Sequence, residues 1–364
     1  MATIVAKIGS SSLTDTAGVI DLAAVVKLCK EVVDLRAEGH RVVVVTSGAV
    51  AAGVAALGLR ERPSDMPTLQ ALAAAGQSRL MQVYNDILQH YGAVGAQVLL
   101  VPHDFVNRRQ YLHARQTLTR LLELGCIPIV NENDAIADDE IRFGDNDRIA
   151  ALVSHLVGAD VLVLLTDTEG LFTADPRSDD RARLVEEVRA DDPLLRVDAA
   201  GTGSTRGSGG MASKLAAARI ASWSGVQAVI AQASRPGVLA GALTAAPGVG
   251  TVFRAHDRHL PARKLWIAFA SGSEGTVVVD DGARHALVER GTSLLPAGVT
   301  GVVGEFEEGA TIDVATADGV VFARGLAAMD AGTMRVVAGH RTTDLPPDVP
   351  SEAVHRDDLV VLPA

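Results

Sequence analysis

The fold class of this chain is indicated most clearly by the segment Arg41-Val-Val-Val-Val-Thr-Ser-Gly-Ala-Val50. Its four consecutive valines do not alternate with polar residues, which predicts a strand covered on both faces. Small residues follow directly and favour a turn into a tightly packed helix. A covered strand that runs into a helix is the basic unit of a parallel α/β sheet.

The same unit recurs along the chain. Apolar runs predict strands at Thr3–Ile8, Gln97–Val101, Ile127–Val130, Val161–Leu165, Ala228–Ala231 and Thr251–Phe253. Helical periodicity predicts helices over Asp21–Glu38, about Leu69–Tyr91, about Arg148–Val157 and from the glycine-rich loop Gly201–Gly210 to about Gly225. This alternation predicts an α/β fold, with a mostly parallel sheet sandwiched by helices.

The character of the sequence changes near Arg263. Beyond it, short β-like runs stand between glycines, at residues 275–280, 301–304, 310–314 and 320–323. From Leu265 to Ala364 there are 6 Lys/Arg and 15 Asp/Glu, a net charge of -9, whereas the preceding part has 27 and 29, a net charge of -2. We predict two domains, residues 1–262 and a small β-rich domain over residues 263–364.

Composition argues against several classes of protein. The net charge of -11 speaks against a general binder of nucleic acids or anionic membranes. Cys29 and Cys126 are the two cysteines of 364 residues, which favours a reducing compartment over a disulfide scaffold. Val42–Leu59 lacks charge, but glycines and hydroxyl residues interrupt it, and Met1–Lys7 lacks the features of a signal peptide. We expect a soluble cytoplasmic protein without a nucleic-acid or membrane partner.

Two glycine-containing segments that each carry a lysine are candidate phosphate sites. Lys7 lies near the end of the first predicted strand, and Gly9 and Ser10 follow that strand. The segment Gly207-Ser-Gly-Gly-Met-Ala-Ser-Lys214 leads into a helix with Lys214 in its first turn. Backbone N–H groups and one cation suit a phosphate chain, although the segment does not match the P-loop pattern. A surface lysine and a glycine linker are the alternative interpretations.

Two polar segments after strands could bind an amino acid. Ser47, in Thr46-Ser-Gly-Ala49, opens a helix whose N-terminal N–H groups could bind an anion, although Ser47 could equally be a plain N-cap. Asn131-Glu-Asn-Asp134 follows a buried strand and could bind an ammonium group or a carboxylate. An Asx-rich loop is the alternative for this second segment.

Two further segments favour phosphate chemistry. Gly144-Asp-Asn-Asp147 begins a helix, and its two aspartates could hold lysines around a phosphoryl group, because capping requires only one of them. Thr166-Asp167 ends a strand, and the loop after it could hold a nucleotide base. The ten histidines show no clustered ligand spacing, so we predict no metal site made by the protein.

Taken together, these segments resemble the glutamate 5-kinases of the amino-acid kinase superfamily. The resemblance covers nearly the whole chain, and its motifs occur in the family's order. They are Lys7-Ile-Gly-Ser-Ser, Val45-Thr-Ser-Gly-Ala, Asn131-Glu-Asn-Asp-Ala, Gly144-Asp-Asn-Asp, Leu165-Thr-Asp, Thr173-Ala-Asp-Pro-Arg and Gly209-Gly-Met-x-x-Lys. In the tail, Glu289-Arg-Gly-x-Ser-Leu-Leu-Pro and Val354-His-Arg-Asp-Asp resemble a PUA domain. Ser208 and Ser213 stand where relatives often have threonine, which leaves the backbone donors intact.

The resemblance implies phosphorylation of the side-chain carboxylate of glutamate by Mg-ATP, the first step of proline biosynthesis. It assigns Lys7 and Lys214 to the phosphates and the developing charge. Asp147 would orient these lysines, with Asp145 as a second candidate.

The resemblance also implies binding residues and partners. The glutamate contacts are Ser47, Asp134 and Asn146. The ATP contacts are Lys7, Gly9, Ser10, Thr166, Asp167, Ser208, Gly209, Gly210, Met211, Ala212, Ser213 and Lys214. Magnesium would be held chiefly by ATP oxygens, and a homo-oligomer inhibited by proline is expected. The alternatives are an N-acetylglutamate or aspartate kinase, an RNA-associated protein, and a regulatory protein that has lost catalysis.

Overall fold

The chain divides into two compact units, Met1–His259 and Leu260–Ala364. The computed structural model describes residues 1–15, 19–105, 107–136, 146–174, 176, 179–189, 210–256, 260–270, 273–347 and 349–362. The domain limits inferred from the sequence, 1–262 and 263–364, stay a prediction.

The described residues of the first unit alternate between strands and helices. In chain order the elements are β1 (Thr3–Ile8), α1 (Ser10–Leu13), α2 (Leu22–Ala37), β2 (Arg41–Val45), α3 (Ala49–Ala56), α4 (Met66–His90), β3 (Gly95–Leu100), a 3-10 turn (Pro102–Phe105), α5 (Arg108–Glu123), β4 (Ile127–Glu132), α6 (Asn146–Val157), β5 (Val161–Thr166), β6 (Glu187–Val188), α7 (Met211–Trp223), β7 (Gln227–Gln232), α8 (Val238–Leu243) and β8 (Thr251–Phe253).

These strands form one eight-stranded sheet in the order β3-β4-β2-β1-β5-β7-β8-β6. The neighbours from β3 to β7 in this order run parallel, β8 runs antiparallel to β7, and β6 runs parallel to β8. The predicted α/β fold with a mostly parallel sheet between helices is therefore confirmed. Because six of the strands, β3, β4, β2, β1, β5 and β7, run in the same direction, their carboxyl ends meet at one edge of the sheet.

Local sequence signals explain the element boundaries. Asp21 caps α2 by accepting hydrogen bonds from the backbone N–H groups of residues 23 and 24, and Gly39 follows the helix at a φ of 86°. Helix α4 begins three residues before its predicted start, because Asp65 caps it and Pro67 lies in its first turn. Helix α5 was not predicted, since its sequence is strongly polar and Leu118 alone is fully buried.

Helices α3 and α4 cross at very short range. A Cβ atom added at Gly76 would overlap the backbone carbonyl of Ala49, and one added at Gly53 would overlap the carbonyl of Leu72. Glycine is therefore required at both positions by the approach of two backbones. The crossing fixes α4 against the first turn of α3, beside the carboxyl ends of the strands.

The second unit is built around a smaller sheet. Its described elements are α9 (Ala262–Leu265), a π-helical turn (Trp266–Ala270), β9 (Gly275–Val279), α10 (Asp281–Arg290), β10 (Val299–Gly304), β11 (Thr311–Ala315), β12 (Val321–Leu326), α11 (Ala331–Val337) and β13 (Leu359–Val361). The strand order is β10-β9-β11-β12-β13, and only the β9–β11 pair is parallel. The prediction of a β-rich second domain is confirmed, although α10 and α11 were not foreseen.

No described helix of either unit is long and apolar enough to cross a membrane.

Candidate active site

Polar side chains are buried where the parallel strands of the first unit end. Lys7 lies at the end of β1, Thr46 directly follows β2, and Thr166 ends β5. Asn131 and Glu132 are the last two residues of β4. All five are no more than 6% exposed. Burying so many polar groups at one edge is costly unless they serve each other or a ligand, which marks this edge as the candidate site.

Two lysines share one buried carboxylate at this edge. Lys7 Nζ lies 2.5 Å from Asp147 Oδ1, and Lys214 Nζ lies 3.3 Å from Asp147 Oδ2. Lys7 is 4% exposed, Lys214 5% and Asp147 0%. Asp147 comes from the first turn of α6 and Lys214 from the first turn of α7, so three separate elements bring the cluster together.

The cluster carries one more positive than negative charge. Burial alone would raise the pKa of Asp147, but the two lysines and hydrogen bonds from Lys7 and Ser213 outweigh burial and hold this pKa at about 2. Burial lowers the pKa of Lys7; Asp147 raises it again and Lys214 lowers it further. Asp147 is thus a fixed anion, and the surplus cation is suited to a phosphate group.

The residues before Lys214 lie close to the same carboxylate. The Ser213 hydroxyl donates to Asp147 Oδ2 at 2.6 Å and also lies 2.9 Å from the Gly210 carbonyl. Gly210 is the N-cap of α7, and no side chain of the described residues caps that helix, so the N–H groups of its first turn, at Met211 and Ala212, can donate to a ligand. The Ser213 hydroxyl is therefore held by Asp147, where the sequence predicted an ATP contact. Ser208 and Gly209 lie outside the described residues, as does Asp145.

A chain of buried amides runs away from this cluster. The backbone N–H of Glu132 donates to Asn146 Oδ1 at 3.1 Å, and Asn146 Nδ2 donates to Asn131 Oδ1 at 3.1 Å. Asn131 Nδ2 then donates to Gln77 Oε1 at 2.8 Å. Asn146 lies directly before Asp147, so the amide chain connects the lysine cluster to helix α4. Both polar atoms of Asn146 are engaged within the protein, which leaves one N–H for a ligand.

The other two predicted glutamate contacts lie around this chain. Asp134 is half-buried two residues beyond β4, and burial raises its pKa to about 6, although Arg62 lowers it. Ser47 precedes Gly48, which is the N-cap of α3 at a φ of 102° and has no side-chain cap. The alternative that Ser47 is the N-cap of this helix is therefore wrong, and within the described part of the chain the first N–H groups of α3 have no side-chain acceptor.

Two of the predicted ATP contacts, at the end of β5, border a cavity of about 410 Å³. Thr166 and Asp167 line it, and their side chains are hydrogen-bonded to each other at 3.0 Å. Gly9 caps the short helix α1, which Ser10 begins. A Cβ at Gly9 would lie 3.4 Å from Lys7 Nζ, so the glycine keeps the space beside the lysine open.

Sequence reasoning missed Gln77. It is 8% exposed and lies on the buried stripe of α4, between Ala73 and Met81. A glutamine on an otherwise apolar helix face was the available signal, since buried amides require partners. The described residues contain no group of three or more His, Cys, Asp or Glu side chains arranged to hold a metal ion.

Comparison with known proteins supplies the family. The amino acid kinase family matches residues 2–232, and the PUA domain matches residues 275–346. Two curated relatives, the glutamate 5-kinases of Myxococcus xanthus and Frankia casuarinae, are each 47% identical over 99% of this chain and 96% of their own length. The glutamate 5-kinase of Vibrio vulnificus is 45% identical over the same shares.

Among solved structures, UMP kinase from Bacillus anthracis resembles the fold with a TM-score of 0.48 and 14% identity, over 70% of this chain and 96% of its own. That likeness is too distant to bear on function. The three glutamate 5-kinases are far more similar to this chain than the UMP kinase is, because they match it almost from end to end. The chain therefore belongs to the amino acid kinase family and, within it, to the glutamate 5-kinases.

Proposed function

We propose that this chain transfers the γ-phosphoryl group of ATP to the side-chain carboxylate of glutamate, giving ADP and glutamyl 5-phosphate, the first step of proline biosynthesis. The observation that carries the proposal is the buried cluster of Lys7, Asp147 and Lys214. It presents a net positive charge at the carboxyl edge of the sheet, beside a chain of buried amides. Curated relatives named glutamate 5-kinases support the choice of acceptor.

The chemistry requires little covalent participation by the protein. A glutamate carboxylate is already ionised at neutral pH, so no general base is needed. One of its oxygens forms a bond to the γ-phosphorus while the bond from that phosphorus to the β-γ bridging oxygen breaks. Negative charge moves toward the leaving ADP, and Lys7 and Lys214 neutralise that charge. Their attraction is strong because the site is buried and water screens it little. Asp147 keeps both ammonium groups in place during the transfer.

Those predicted ATP-binding residues that the structure describes are arranged in a way that suits the phosphate chain of ATP. Lys7 and Lys214 are the cations, Gly9 leaves room beside Lys7, and no described side chain occupies the first N–H groups of α7. Thr166 and Asp167 would hold the nucleoside end of ATP at their cavity. Mg²⁺ would be held mainly by the phosphate oxygens and would neutralise further charge.

The acceptor fits the other side of the cluster. Asp134 would pair with the α-ammonium group of glutamate, and Ser47 and Asn146 would donate to its α-carboxylate. An acetylated nitrogen carries no charge and would deprive the half-buried Asp134 carboxylate of its ammonium partner, so N-acetylglutamate should be rejected. Aspartate is shorter by one methylene and should not reach the phosphoryl group when its α-carbon is held in the same place.

Other properties belong to the same proposal. The kinase domain would extend over residues 1–262 and the PUA domain over residues 263–364. The protein would work in the cytoplasm as a homo-oligomer. Proline, which shares the α-carboxylate and the backbone nitrogen of glutamate, would inhibit by occupying or distorting the glutamate site. That inhibition should be relieved by excess glutamate and not by excess ATP.

One assay tests the function directly. ATP turnover is measured with glutamate, aspartate, N-acetylglutamate or no acceptor, and hydroxylamine traps the acyl phosphate as a hydroxamate. We expect a hydroxamate with glutamate alone. Equal ADP release without an acceptor would indicate an ATPase, and a hydroxamate mainly from N-acetylglutamate or aspartate would reassign the enzyme within its family.

A further inference from the structure

The chain of buried amides in the candidate site has a direction. Each member receives a hydrogen bond on its oxygen from the member before it: Asn146 from Glu132 N–H, Asn131 from Asn146, and Gln77 from Asn131. All three side-chain amides therefore point the same way, and hydrogen bonds aligned in this manner polarise one another. The end of the chain is the side-chain NH₂ group of Gln77.

That terminal donor is buried without an acceptor. Gln77 Nε2 has no hydrogen-bond partner among the residues that the structure describes, although Gln77 is only 8% exposed. A buried donor left in this state costs about 1–3 kcal/mol. The other atom of the amide, Oε1, is used by Asn131, so rotating the amide group by 180° would break that hydrogen bond without removing the problem. The arrangement is therefore that of a donor that requires a ligand oxygen.

The neighbourhood of Gln77 favours an anionic oxygen. Gly76, the preceding residue, lies against the first turn of α3, where an added Cβ would overlap the carbonyl of Ala49. Helix α3 begins after Gly48, and no side chain of the described residues caps it, so its first N–H groups can also donate to a ligand. The buried amide donor on α4 and the N-terminus of the helix that α4 crosses each suit a carboxylate, whose two oxygens accept several hydrogen bonds.

We propose that Gln77 is a specificity-determining residue that donates a hydrogen bond to the α-carboxylate of the acceptor amino acid. This inference rests on the proposed function and extends its recognition of glutamate. The reactive side-chain carboxylate lies at Lys7 and Lys214, whereas Gln77 is separated from Asp147 by the amides of Asn146 and Asn131. A ligand that engaged both ends would therefore need two separate anionic groups, which glutamate has.

The test combines one substitution with one altered substrate. Gln77→Met keeps most of the side-chain volume and removes the donor. Isoglutamine, the α-amide of glutamate, keeps the reactive carboxylate and replaces the α-carboxylate. We expect Gln77→Met to raise KM for glutamate roughly 10- to 100-fold, the range for a lost hydrogen bond to a charged group, with little change in KM for ATP. The wild type should prefer glutamate to isoglutamine, and the variant should show a clearly smaller preference, with the remainder due to the other donors to the α-carboxylate.

Two controls separate recognition from folding. Gln82→Met makes the same change on the exposed face of α4 and should leave both KM values and Tm unchanged. Gln77→Glu keeps an oxygen for Asn131 but replaces the donor by a second carboxylate. It should raise KM for glutamate even more than Gln77→Met, and this excess should shrink as pH falls and the new carboxyl group becomes protonated and able to donate.

The results that overturn the inference are distinct. A lower Tm for Gln77→Met with an unchanged glutamate preference would assign Gln77 to folding alone. An unchanged KM for glutamate in Gln77→Glu would remove its side chain from the α-carboxylate. Either result, with an active wild type, defeats the Gln77 assignment and leaves the proposed function standing. A wild type that forms no hydroxamate from glutamate would defeat both.

Discussion

Lys7 Nζ lies 2.5 Å from Asp147 Oδ1, with both side chains nearly inaccessible to solvent. The lysine lies near the end of β1, a central strand of the sheet, and the aspartate lies in the first turn of α6, which packs against that strand. Buried ion pairs are weak evidence for stability, because desolvation opposes the attraction between the charges. The Asp147 carboxylate also pairs with Lys214, and a carboxylate that holds two buried lysines is better explained by a function that requires positioned cations.

The first prediction concerns Lys214. Lys214→Ala should lower kcat about 10²- to 10³-fold, the loss expected when one electrostatic donor to the transition state is removed, while KM for glutamate changes little. The control is Lys30→Ala, which removes an exposed lysine paired with Asp34 and should not affect turnover. Normal kcat in a folded Lys214→Ala protein would exclude this lysine from the mechanism.

The second prediction concerns the carboxylate between the lysines. Asp147→Asn leaves two buried ammonium groups without their anion, so the free energy of unfolding should fall by about 3–5 kcal/mol. Asp34→Asn breaks an exposed pair with Lys30 and should change the free energy of unfolding little, because solvent screens that pair. Urea denaturation followed by circular dichroism measures both. Equal stability losses in the two variants would show that Asp147 is not an essential counter-ion.

The sequence predicted the fold because its strands are covered on both faces and therefore read as continuous apolar runs. It also predicted Lys7, Asp147 and Lys214 as members of one site, through a family resemblance that gave their roles. It did not predict Gln77, because a single glutamine in a helix has no local signature of its partner. Its contact with Asn131 depends on how α4 packs against β4, which is a tertiary property.

The helix crossing supplies the third prediction. Gly76→Ala puts a methyl group where the carbonyl of Ala49 lies, and backbone atoms on both helices would have to move. We expect the free energy of unfolding to fall by about 1–3 kcal/mol or more, and KM for glutamate to rise because Gln77 moves with its neighbour. Ser78→Ala, on the exposed face of α4, should change neither quantity. A fully active and stable Gly76→Ala protein would contradict the close crossing.

The fourth prediction concerns pH. Burial raises the pKa of Asp134 to about 6, against an ordinary value of 3.8, with Arg62 acting in the opposite direction. If the Asp134 carboxylate binds the ammonium group of glutamate, KM for glutamate should rise as pH falls below about 6. Asp134→Asn should show a high KM without that pH dependence. Arg62→Ala should move the rise to higher pH, because the cation that lowers the pKa is gone.

Stability of the unliganded protein should respond to Asp134 in the opposite direction. A carboxyl group whose pKa is raised on folding binds more protons in the folded state between about pH 4 and pH 6. Its contribution to stability is therefore present below pH 4 and lost as pH rises through about 6. The difference in unfolding free energy between wild type and Asp134→Asn, measured across this range, should shrink or reverse accordingly. A constant difference would show that the pKa of Asp134 is not raised.

The arginines of the second unit bear on RNA binding. Arg324 Nε lies 2.7 Å from Asp313, Arg335 lies 2.8 Å from Glu305, and Arg263 lies 2.5 Å from Asp358. Arg284 lies over the ring of Phe322, 5.7 Å from its centroid. Carboxylates thus already accompany several of the cations that a phosphate backbone would require.

The last prediction is that this protein does not bind RNA tightly. From Leu265 onward, 15 acidic residues outnumber 6 basic ones, so the unit should repel a phosphate backbone. In a filter-binding titration with tRNA at low salt, we expect no saturable binding in the micromolar range typical of non-specific complexes, about 1–100 μM. A variant with Asp313 and Glu305 changed to Asn and Gln releases Arg324 and Arg335, and any weak binding should increase. Tight wild-type binding that weakens steeply as salt rises would show that the second unit binds nucleic acid despite its negative charge.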